Sequence, residues 1–166
     1  VWLPVQRWTK AQQATGQCRR IFGLDPGAMA VGWTRGLFLQ QDAGEYVLSG
    51  EARGPVSVSI ADREVFRTEK PGRFSAKVKI PFGRHDVMVR VQCGSRDWGF
   101  TLELRDGREP VEFASPCNLQ GQGYAWIYAG PLAEGRDVDL AALRDLHKLV
   151  PGRDGATYWR LDAPNM

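Results

Sequence analysis

The chain is written largely in period two. In residues 55–60 (PVSVSI), Val56, Val58 and Ile60 alternate with Ser57 and Ser59, giving one apolar and one small polar face. Residues 64–67 (EVFR) follow after Ala61, Asp62 and Arg63, a gap of the length used in three-residue hairpins. Residues 74–80 put Phe74, Ala76, Val78 and Ile80 on one side and Lys77 and Lys79 on the other. Residues 85–93 alternate Val87, Val89, Val91 and Cys93 with Met88, Arg90 and Gln92. In residues 98–105, Trp98, Phe100, Leu102 and Leu104 alternate with Thr101, Glu103 and Arg105, which places Trp98 in the core.

Residues 36–40 and 45–52 read as a further antiparallel pair around Gln41, Asp42, Ala43 and Gly44. About seven short strands separated by turn residues predict a mainly β chain, an antiparallel sandwich. Clean in/out alternation favours antiparallel sheets with one wet face.

The tail changes period. In residues 137–149, Leu140, Leu143, Leu146 and Leu149 fall at helical spacing, with Asp137 or Asp139 placed to cap. Val150, Pro151 and Gly152 end that helix, and residues 152–166 form an extended, turn-rich tail with two bulky aromatics, Tyr158 and Trp159. The expected organisation is a sandwich module over residues 1–132, then a helix and connector over 133–166 leading to a further domain beyond Met166.

Composition changes this picture little. At 166 residues, 43% hydrophobic and 25% charged, the chain is ordinary globular material with an adequate core. A net charge of +3 without a concentrated basic face argues against nucleic acid as a partner. No run approaches 18 apolar residues, so a helical membrane span is not expected. Cys18, Cys93 and Cys117 are odd in number and widely spaced, which favours three buried thiols over a disulfide framework, with a single bridge as the alternative. No charged-then-apolar leader stands at the first residues, so a cytoplasmic location is expected over a secreted one.

Candidate chemistry is thin. His85 and His147 have no Cys or second His at ligand spacing, so no metal site is expected there. No GxSxG, P-loop or GxGxxG pattern is present, and Ser57 and Ser59 read as a strand's polar face. Asp62, Asp97 and Asp106 fall in predicted loops, where a structural calcium would find its carboxylates; no other cofactor is expected.

Six tryptophans are many for this length. A flat exposed ring stacks on the apolar face of a sugar while polar neighbours bind its hydroxyls. Trp33 with Arg35, in an expected loop over residues 30–35, and the cluster Tyr124, Trp126 and Tyr128 are therefore the glycan-binding candidates. The competing reading is packing: Tyr124, Trp126 and Tyr128 alternate like one face of a strand that lies against a following domain.

Two stretches carry a resemblance. Residues 44–105, with GEYVLSG, PVSVSI, REVF, KIPFGRHDVMVRVQCG and WGFTLELRDG, resemble accessory sandwich modules of carbohydrate-active proteins, of the galactose-binding-like (jelly-roll) or PA14-like kind. Arg63 stands where those modules carry glycine in a hairpin. Residues 126–132 (WIYAGPL) and 158–166 (YWRLDAPNM) resemble the segment leading into the helical barrel of bacterial unsaturated glucuronyl and rhamnogalacturonyl hydrolases, glycoside hydrolase families 88 and 105. The resemblance implies a non-catalytic accessory module whose partner is the downstream catalytic domain and whose further partner is an oligo- or polysaccharide. It carries no catalytic residue onto this chain. The alternatives are a free-standing lectin-like carbohydrate-binding domain and one segment of an assembled uronyl hydrolase.

Overall fold

The computed structural model describes residues 2–6, 11–13, 26–94, 99–114, 124–133 and 135. The expected helix over 137–149, the tail, Trp98, Asp97, Cys18 and Cys117 lie outside the described residues.

Twelve strands are described: β1 (Trp2–Gln6), β2 (Ala11–Gln13), β3 (Met29–Phe38), β4 (Gly44–Ala52), β5 (Val56–Ile60), β6 (Arg63–Thr68), β7 (Gly72–Ile80), β8 (Gly83–Gln92), β9 (Phe100–Asp106), β10 (Glu109–Pro110), β11 (Phe113–Ala114) and β12 (Tyr124–Leu132). The seven runs of alternating residues correspond to β3–β9. One sheet of seven strands runs β1-β12-β3-β8-β5-β6, with β11 also on β3. A second sheet of five runs β10-β9-β4-β7, with β2 also on β9. Every described pairing is antiparallel.

The two sheets share one apolar core. The first contributes Phe38, Val58, Ile60, Val87, Val89, Val91 and Trp126; the second contributes Tyr46, Leu48, Ile80, Phe100, Leu102 and Leu104. These are the inward members of the alternating runs, which is why period two in the sequence becomes two sheets with facing apolar sides. Phe38 meets Tyr46 edge-on across the sheets, centroids 5.1 Å apart.

The expected pairing of residues 36–40 with 45–52 is corrected: β3 and β4 belong to different sheets. The intervening residues form a corner, with Asp42 and Ala43 in the left-handed region (φ 58° and 61°). That corner is fastened by the Gln40 amide N–H donating to the Tyr46 hydroxyl at 3.1 Å and by the Gln40 side chain donating to Asp106. A sequence-adjacent pair separated by four turn residues looks like a hairpin, but here it crosses from one sheet to the other.

The β5–β6 connection is a hairpin, shorter than its expected three residues. Ile60 opposes Arg63, leaving Ala61 and Asp62 as a two-residue loop. Both have positive φ, 52° and 62°, the geometry of a type I′ turn. Arg63 is already in the strand, so no glycine is required there. A register shift opposite Val58 and Ser59 leaves Val65 as the extra residue on β6, and both Val65 and Phe66 then pack against the core.

β3 also departs from expectation. Residues 30–35, expected as a loop, are its centre, paired over ten residues with β8. Successive residues Ala30 and Val31 are both fully buried, one in the shared core and the other on the opposite side of the sheet. A strand buried on both faces shows a continuous small-to-apolar run with no alternation to read.

Candidate functional site

The sequence candidates separate in the structure. Trp33 is 1% exposed and lies in β3 on the face opposite the shared core, with Met88 as its cross-strand partner. Trp126 is 2% exposed and belongs to the core itself, edge-on to Phe113 at 5.3 Å and to Phe100 at 6.0 Å. Neither ring presents a face to solvent, which corrects their assignment as stacking platforms and takes Trp126 into this module's own core. Arg35 faces its register partner Asp86, Nε to Oδ1 2.8 Å, and so serves as one half of a cross-strand ion pair. Tyr124 and Tyr128 lie in β12, opposite Gln6 and Leu3 of β1, with Tyr128 also opposite Gly32 of β3.

Among the carboxylates considered for calcium, Asp62 sits in the β5–β6 turn and Asp106 ends β9, where it accepts from Gln40. Among the described residues no three His, Cys, Asp or Glu side chains converge as a metal site. His85 lies in β8 with Nε2 3.2 Å from the Phe82 carbonyl and its ring beside Phe38. Cys93 is a buried thiol whose Sγ donates to the Gly94 carbonyl.

The outer face of the larger sheet is divided in two. Val31, Trp33 and Met88 form an apolar part, 0%, 1% and 5% exposed. Beside it the register brings together a polar row. Ser57 opposes Arg67 on one side and Arg90 on the other, and Arg90 opposes Val31. Directly opposed residues of antiparallel strands project to the same side of a sheet. Gln92 opposes Met29 one step along.

These residues enclose a cleft of about 300 Å³, with Met29, Ser57, Arg90 and Gln92 along its floor and Arg67 and Glu69 at its rim. Its side chains are held by neighbours. Gln92 Nε2 donates to the Gly27 carbonyl at 3.2 Å, and Arg90 donates to Ser59 Oγ at 3.4 Å. Arg67 donates to both carboxylate oxygens of Glu64, at 3.0 and 2.6 Å, and approaches Glu69 at 3.6 Å.

The hydrogen bond from Arg67 holds the Glu64 carboxyl below its ordinary range, with smaller help from the charges of Arg67 and Arg90. The same bond raises Arg67. Arg67 is thus matched by two carboxylates, Glu64 and Glu69, while the cleft lining itself carries Arg67, Arg90 and Glu69.

The sequence reads Ser57 and Ser59 as the polar, surface face of a strand; Ser57 is on that face but buried, with Arg90, Gln92 and Met29 as companions that the pattern does not show. The missing information is the β5–β8 and β3–β8 pairing, which joins Ser57 to Arg90 and Met29 to Gln92.

No protein-family model matches the chain. No curated protein matches it either. Among solved structures, the GH31 alpha-xylosidase from Xanthomonas citri aligns with 63% of this chain and 17% of its own length, at 11% identity and a TM-score of 0.33. The chain therefore spans a small part of that enzyme, and overlap at this level establishes neither a shared fold nor a shared chemistry.

Proposed function

We propose that the chain is a non-catalytic accessory module of a polysaccharide-degrading glycoside hydrolase, with residues 1–132 as the module and 133–166 as the connector to its catalytic domain. The finer fold assignment belongs to the same reading: a jelly-roll of the galactose-binding-like kind, supported by connections that cross between sheets at β3–β4, β4–β5, β6–β7, β7–β8 and β8–β9. The link to glycoside hydrolases rests on the short motifs of residues 44–105, 126–132 and 158–166.

The observation that carries a structural role is the burial of Val31, Trp33 and Met88 on the face turned away from the core. A sandwich sheet with a wet outer face would place polar residues there. These three residues reach that burial within the chain itself, so this part of the sheet is an inner layer of the module, a rigid platform that suits steadying a neighbouring domain.

The test uses the parent protein with and without residues 1–166. Removing them is expected to lower the melting temperature of the catalytic segment while leaving its turnover of an unsaturated uronyl disaccharide measurable. Loss of the disaccharide's double-bond absorbance on incubation with the 166-residue chain alone would overturn the proposal.

A further inference from the structure

We infer that the cleft on the outer face of β5, β6 and β8 binds a neutral saccharide, at a position distinct from every aromatic residue singled out in the sequence. Choosing sugars as probes rests on the accessory-module reading; the site itself rests on the cleft's geometry.

A sugar hydroxyl both donates and accepts, and adjacent hydroxyls require donors and acceptors side by side. The cleft supplies both within one cross-strand neighbourhood. Arg67 and Arg90 donate, Glu69 accepts, and Ser57 and Gln92 can do either. Planar guanidinium and amide groups engage neighbouring hydroxyls in pairs, and Met29 offers an apolar surface for the ring's C–H groups.

Charge at the Arg67 rim disfavours an acidic ligand. Arg67 is already shared between Glu64 and Glu69, and Glu69 stands at the rim where an incoming carboxylate would meet it. A neutral ligand avoids that repulsion and still meets the polar lining. The volume of about 300 Å³ lies at the small end of ligand pockets, which suits a short saccharide over a long polymer groove. The hydrogen bonds from Gln92 to Gly27 and from Arg90 to Ser59 hold the recognition groups in place before binding. Binding then orders little that is not already ordered.

The test is an amide NMR titration of the intact 166-residue chain with xylobiose, cellobiose and maltose, and with digalacturonate as the acidic comparison. Shifts are expected to concentrate at residues 55–57, 67–69 and 90–92 for at least one neutral disaccharide. Gln92→Ala and Arg90→Ala are each expected to weaken that binding about tenfold, the loss of one hydrogen bond from a preorganised group. Lys79→Ala, on the other sheet, is expected to leave it unchanged. Should either alanine variant lose the dispersed amide spectrum of the folded chain, Arg67→Lys serves in its place, keeping the charge while removing the paired donors.

No shift with any neutral disaccharide, shifts confined to other residues, binding indifferent to all the cleft variants, or tighter binding of digalacturonate would each overturn the inference. None of these outcomes touches the accessory-module reading, which stands or falls on turnover by the chain alone.

Discussion

Phe66 on β6 and Phe74 on β7 stack with ring centroids 4.6 Å apart and planes 24° from parallel. β6 ends the strand order of one sheet and β7 ends that of the other, so this ring pair closes one side of the shared core. Such pairs contribute about 0.5–1.5 kcal/mol beyond the area they bury. A double-mutant cycle with Phe66→Ala and Phe74→Ala, read by urea denaturation, is expected to return a coupling in that range. Strictly additive losses would show that the rings fill space without acting as a pair.

Ala61 occupies a left-handed position that glycine adopts without steric cost. Ala61→Gly is expected to stabilise the chain by about 1 kcal/mol, visible as a raised melting temperature, because relief of the strained turn outweighs the added flexibility of the unfolded chain. A lower melting temperature would mean that the packing of Ala61 against the core matters more than its φ.

Gly50 marks a close approach. A Cβ built there would sit 1.9 Å from the Thr101 carbonyl oxygen, a backbone atom that cannot swing away. Since β4 lies between β7 and β9, accommodating Gly50→Ala requires a shift of paired strands. The expected cost is about 1–3 kcal/mol in chemical denaturation. A neutral outcome would place more slack between β4 and β9 than the geometry allows.

Trp33→Ala is expected to destabilise by roughly 3–5 kcal/mol, the usual cost of emptying a buried aromatic site. Any loss of saccharide binding in this variant should track unfolding, measured by circular dichroism on the same samples. A folded Trp33→Ala chain that had lost binding would return this residue to the glycan site.

The Glu45–Lys77 ion pair gives a pH signature. Glu45 opposes Lys79 across β4–β7 and reaches diagonally to Lys77, Oε1 to Nζ 2.8 Å. The hydrogen bond from Lys77 lowers the Glu45 carboxyl from its ordinary 4.5, and the same bond raises Lys77 from 10.5. The lowered carboxyl stabilises above 4.5 and loses that contribution as pH falls through its lowered value. The raised amine stabilises below 10.5 and loses its contribution as pH rises through the raised value. Both groups are solvent-exposed, so the effect is small. Lys77→Ala is expected to flatten slightly the acidic fall of melting temperature; an unchanged acid limb would show that the pair contributes nothing.

The strands legible in the sequence were those whose two faces differ in polarity. Val56, Val58 and Ile60 against Ser57 and Ser59, and Phe100, Leu102 and Leu104 against Thr101 and Glu103, declare both their strand and their inward side, because alternation records a two-faced sheet even where, as at Ser57, the polar side is also buried. Trp33 escaped that logic because β3 is buried on both faces. A large aromatic beside glycine then read as an exposed loop residue.

Local pattern alone therefore determined the β class, the position of most strands and which residues point into the core. The tertiary structure decided everything that depends on pairing between distant segments. It sent β3 and β4 to different sheets, buried Trp126 in the shared core and Trp33 on the face opposite it, and tied Arg35 to Asp86. It also set Arg67, Ser57 and Arg90 side by side in a cleft. The reason is physical: the period of a strand is carried by neighbouring residues, whereas register and sheet order are fixed by contacts between residues far apart in the chain, which no local pattern contains.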